Sequence, residues 1–68
     1  MNKKDIEGDY GTWVWNERDK CYELIIYAKV FPMDDGSYVT SYGGVWNTPR
    51  DKTIDNFEDA EKASLSIS

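Results

Sequence analysis

Cys21-Tyr22-Glu23-Leu24-Ile25-Ile26-Tyr27-Ala28-Lys29-Val30-Phe31 is the longest nearly unbroken apolar stretch of the chain, and polar turn signals bound it on both sides. It is too short to cross a bilayer and rich in β-branched and aromatic residues, which reads as strand rather than helix. Side chains alternate across a strand. Tyr22, Leu24, Ile26, Ala28 and Val30 therefore point one way, and Cys21, Ile25, Tyr27 and Phe31 the other. A strand apolar on both sides is expected at the centre of a sheet, covered twice.

Upstream, Tyr10-Gly11-Thr12-Trp13-Val14-Trp15 reads as a second strand, joined through the polar turn Asn16 to Lys20. That turn sets Asn16 opposite Cys21 and puts Trp13 and Trp15 on the face of Tyr22, Leu24 and Ile26. Downstream, Pro32 to Ser37 reverses the chain, with Asp35-Gly36 suited to the centre of a two-residue hairpin turn. A third strand runs from Tyr38 to Trp46, and Gly43-Gly44 marks a bulge or bend in it. This register sets Ile26 against Val45 and gathers Tyr27, Phe31, Tyr38, Tyr42 and Trp46 on one face. Asn47 to Lys52 is a loop containing Pro49. A helix follows, capped by Asn56, with Glu58 and Asp59 in its first turn and Glu58 four residues before Lys62. Its inner stripe is Phe57, Ala60, Ser64 and Ile67, with Ala63 beside it.

The expected fold is α+β: an antiparallel three-stranded meander, with room for a fourth short strand, and one C-terminal helix packed on one face. Residues 1–9 are expected as a loosely ordered arm and residues 10–68 as a single small domain. A chain of 68 residues buries a modest core, so a staple or partner is expected. Cys21 is the only cysteine and histidine is absent, which removes an internal disulfide and a Cys/His metal staple. No cofactor and no metal is expected.

Thirteen acidic against eight basic residues give a net charge of −5, which argues against duplex DNA and for a basic partner surface. The same charge also serves plain solubility. The N-terminal residues lack the apolar core of a signal peptide, and no stretch has membrane length, so a cytoplasmic protein with no membrane partner is expected. A lone thiol fits a reducing compartment.

Without histidine the commonest general base is missing, and the chain is not expected to be an enzyme. Acids near Cys21 in sequence disfavour a reactive thiolate. Asp34-Asp35-Gly36-Ser37 lacks the spacing of a calcium loop, and Gly43-Gly44 lacks the Lys-Ser/Thr of a phosphate loop. What remains is an apolar sheet surface larger than one short helix covers. The candidate partner-binding residues are the aromatics Tyr27, Phe31, Tyr38, Tyr42 and Trp46, with Asp34, Asp35, Glu58, Asp59 and Glu61 as orienting charges. The bland alternative is that the N-terminal arm covers this face, or that a register shifted by one mixes the faces. A homodimer through the aromatic face is a second reading. Single-stranded nucleic acid or carbohydrate stacked on it is a third.

The run Ile54 to Ala63 resembles the helix entry of many small meander-plus-helix domains and specifies packing alone. In size, acidity, aromatic content and missing catalytic groups, the chain resembles small phage-encoded inhibitors such as anti-CRISPR and anti-restriction proteins. The likeness is one of composition and transfers no residues. It implies a phage or mobile-element inhibitor that blocks a basic, nucleic-acid-handling host protein.

Overall fold

The run 21–31 is two strands. In the computed structural model, which describes residues 4–25, 27–42, 45–46 and 52–65, the chain turns back between Ile25 and Ala28, and these two residues pair across the resulting hairpin. The elements in order are β1 (Ile6–Gly8), β2 (Gly11–Asn16), β3 (Cys21–Ile25), β4 (Ala28–Pro32), β5 (Tyr38–Tyr42), β6 (Val45–Trp46) and α1 (Phe57–Ser64). Among the described residues the sheet has six strands in sequence order, each antiparallel to its neighbour. The α+β class and the meander therefore stand, with more strands than the expected three or four.

The hairpin stays hidden in the sequence because two offsets cancel. Closing a hairpin on Ile25 opposite Ala28 places an odd position against an even one, which should invert the alternation beyond the turn. A bulge undoes this: Glu23 pairs with Lys29 and Ile25 with Ala28, leaving Leu24 as the extra residue. Tyr22 then pairs with Val30, and even positions on both strands face the same side. The apolar alternation survives a reversal of the chain.

Two further differences follow from turns. Residues 6–8, within the expected loose arm, form a strand with Ile6 opposite Trp13 and Gly8 opposite Gly11. The β4–β5 connection takes residues 33–37 rather than a two-residue turn. Met33 N donates to Ser37 O at 2.8 Å, Gly36 N donates to Met33 O at 3.1 Å, and Gly36 has φ 90°. The Asp35 carboxylate accepts from both the Ser37 N–H and its hydroxyl, which fixes the longer loop and holds the Asp35 carboxyl below its usual range. Pro32 thus pairs with Tyr38 and Phe31 with Val39. That one-residue change sends Tyr38 and Tyr42 to the side of Val30. The third expected strand is likewise split, into β5 and β6, with Tyr42 opposite Val45. Positions 43–44, and the expectations for Ile26, residues 47–51 and Ile67, lie outside the described residues.

The helix begins as the sequence predicts. Asn56 accepts from Asp59 N at 2.8 Å, and Lys62 Nζ lies 3.8 Å from Glu58. It packs chiefly on β5 and β4. Phe57 meets the rings of Trp13, Tyr22 and Tyr38 edge-on, with centroids 5.7, 5.9 and 5.7 Å away. Trp13, Tyr22, Ala28, Val30 and Ala60 form the buried cluster, with Ile6, Trp15, Leu24, Tyr38 and Ile54 packed around it.

Candidate docking surface

Under the helix the core is closed by a charged group. Glu61 is 1% exposed. Its carboxylate accepts from Asp9 N at 3.0 Å, Tyr10 N at 3.1 Å and Trp13 Nε1 at 2.7 Å. The helix is thereby tied to the β1–β2 turn and to the central tryptophan. Gly8 makes this possible, since a Cβ there would lie 2.1 Å from a Glu61 oxygen. Glu61, expected as an exposed orienting charge, is thus a buried structural one. Its position was legible: 57, 60, 61 and 64 recur at helical spacing, and the charge of the residue masked its place on the inner stripe.

The opposite face is not the expected aromatic plane. Its rows, read from the pairing, are Val14–Glu23–Lys29–Ser41–Trp46 and Asn16–Cys21–Phe31–Val39. Lys29 Nζ lies 3.3 Å from Asp19 and 3.3 Å from Glu23, and Asn16 Nδ2 donates to Glu23 at 3.0 Å. Hydrogen bonds to these two carboxylates raise the Lys29 pKa above its ordinary value. Beneath this polar cover Cys21 is fully buried, and desolvation first, then Glu23 and Asp19, pushes its thiol up to about 11. The thiol is held neutral at physiological pH. Asp19, Cys21 and Glu23 place possible ligand atoms within 4.8 Å of one another, but Lys29 already supplies the cation between the carboxylates.

The candidate aromatics divide. Tyr38 turns to the helix and packs on Phe57, because of the register change above. Phe31 lies against Trp46 on the far face, ring centroids 5.0 Å apart. Tyr27, in the β3–β4 turn, meets Tyr42 edge-on at 4.8 Å, and Tyr27 raises the Tyr42 pKa through its charge and a side-chain hydrogen bond. Ile25, Tyr27, Tyr42 and Trp46 are all more than a third exposed, and all sit where β3 ends, β4 begins and β5 meets β6. Ring contacts join the aromatics as two separate pairs, Tyr27 with Tyr42 and, on the far face, Trp46 with Phe31. Ile25, which the alternation of residues 21–31 grouped with Tyr27, lies beside it through the β3–β4 turn rather than along one continuous strand.

The candidate charges lie elsewhere. Asp34 and Asp35 occupy the β4–β5 turn at the other end of those strands, and Asp35 is engaged by Ser37. Glu58 and Asp59 are exposed on the first turn of the helix, where Asp59 also accepts from the Asn56 amide at 3.0 Å. Glu7, Asp9, Glu58 and Glu61, with Ile6, Gly8 and Phe57, line an open recess of about 230 Å³ between β1 and the helix.

No protein-family model, curated protein or solved structure matches the chain. No helix among the described residues is long and apolar enough to cross a membrane.

Proposed function

We propose that this chain is a non-enzymatic protein-binding module that docks on a basic partner through the turn-end patch of Ile25, Tyr27, Tyr42 and Trp46. One observation carries the reading: four large side chains remain exposed at one end of the sheet, Tyr42 on the helix side and Trp46 on the far side, while most of the other aromatics are packed away. Tyrosine and tryptophan concentrate binding energy when desolvated at an interface. The net charge of −5 favours a basic partner and speeds its approach. In the finer form of the proposal, the partner handles nucleic acid and the module occupies that surface as an inhibitor, a reading supported by composition alone.

Affinity capture from a plausible host lysate, with wild type beside Tyr42→Ala and Trp46→Ala, tests this. Loss of a basic partner from both variants, with folding unchanged, is the expected result. Retention of every partner by both variants overturns it. Sedimentation of the wild type distinguishes a second copy on the patch, and titration with single-stranded oligonucleotides at two salt concentrations distinguishes nucleic acid.

A further inference from the structure

Five tyrosines occur in the chain. Tyr22 is buried, Tyr38 packs on Phe57, and Tyr10 stands exposed in the β1–β2 turn. Tyr27 and Tyr42 are 42% and 37% exposed, and their rings touch edge-on with centroids 4.8 Å apart. The backbone holds the pair in place, because Ala28, next to Tyr27, is the cross-strand partner of Tyr42. The two rings are in edge-to-face van der Waals contact.

We infer that Tyr27 and Tyr42 form an oxidative modification site, where a haem peroxidase with hydrogen peroxide joins the two phenols into a dityrosine cross-link within one chain. The oxidant takes one electron and one proton from each phenol, leaving two phenoxyl radicals with spin density on the carbons ortho to oxygen. The two unpaired electrons form one Cε–Cε bond. Each ortho C–H proton then moves to its own oxygen, which restores both aromatic rings. Two hydrogen atoms leave the protein, and one peroxide is reduced to two waters. Contact between the rings makes this coupling effectively unimolecular, so it outruns encounters between molecules. Exposed side chains also reorient within nanoseconds, so touching rings sample many mutual orientations before a second molecule arrives. Tyr10 has no such advantage.

The cross-link supplies a covalent staple to a chain whose single cysteine cannot make an internal one. It closes the segment from Tyr27 to Tyr42, and restricting the unfolded chain over a loop of that size raises Tm on the order of 10 °C. This inference stands apart from the docking reading and survives its failure.

The test treats dilute full-length protein with a haem peroxidase and hydrogen peroxide. The expected product is a monomer lighter by two hydrogen atoms, with the blue fluorescence of a biphenol and a linkage that peptide mapping places between Tyr27 and Tyr42. Tyr27→Phe and Tyr42→Phe each reduce that monomeric product at least tenfold, while Tyr10→Phe leaves it unchanged. Covalent dimers as the sole biphenol product, persistence of the monomeric product in Tyr27→Phe, or no biphenol at all overturns the inference. Tyr27 lies in a turn and loses only a hydroxyl, so Tyr27→Phe keeps the test valid should Tyr42→Phe fold poorly.

Discussion

Glu61 under the helix and Glu23 on the far side of the sheet are both carboxylates built into the fold, and their surroundings differ in kind. Glu61 is buried, and its partners among the described residues are all neutral N–H groups: two from a turn and one from an indole. Glu23 is about a quarter exposed and shares Lys29 with Asp19. A charge removed from water must have its hydrogen-bond partners supplied in full, and their loss is expensive. A charge that keeps contact with water is screened, and its pairing contributes little. One side of the sheet is therefore closed by a costly, specific contact and the other by a tolerant, water-softened one.

The sharpest way to break this contrast is Glu61→Ala. It orphans three donors and is expected to destabilise the domain by about 3–5 kcal/mol, enough to unfold much of a protein this small. A denaturant melt showing a loss below 1 kcal/mol would contradict the assignment. Gly8→Ala intrudes on the same carboxylate from β1 and is expected to cost about 1–3 kcal/mol, read from the same melt.

On the far side the expectation concerns alkaline pH. The folded Cys21 thiol keeps its proton to about pH 11, whereas the unfolded one releases it near 9. Between these values the unfolded chain binds fewer protons, so stability falls as pH rises, by about 1–2 kcal/mol. Lys29, whose folded pKa is raised, loses its contribution as pH climbs through that value, in the same direction. Thermal melts from about pH 8 to about pH 11 should show the slope, and Cys21→Ala should flatten its lower part.

Lys29→Met is expected to cost about 1 kcal/mol at low salt and less at high salt, since both carboxylates stay in contact with water. A cost equal to that of Glu61→Ala would erase the distinction. The smallest effect lies in the β2–β3 turn, where Lys20 has φ 58°. Lys20→Gly relieves that left-handed conformation but gives up the exposed Glu17 pair, for a net gain of about 0.5 kcal/mol in a thermal melt.

Much of the helix-covered side was legible in sequence. Asn56 caps as its residue type predicts, Asn16 pairs with Cys21, and Trp13 and Trp15 share the side of Tyr22 and Leu24. The far side was not, because Glu23 and Lys29, polar residues at alternate positions in an apolar run, reveal their pairing only once the strands are aligned. Tyr38 and Tyr42 were misplaced by a single residue of turn length, which depends on the hydrogen bonds Asp35 makes to Ser37. The reversal between Ile25 and Ala28 was hidden for a related reason. No glycine, proline, asparagine or aspartate lies between Ile25 and Ala28, so propensity gave no warning of the turn.

The bulged corner at Leu24 carries a consequence for how this chain can change over generations. Like a reading frame, it tolerates insertions in even steps and is scrambled by odd ones. Losing or gaining one amino acid there would swap inside for outside along everything upstream, trading Trp13 and Tyr22 for Val14 and Glu23 in the interior. Descendants of this sequence should therefore vary in length at that corner by pairs.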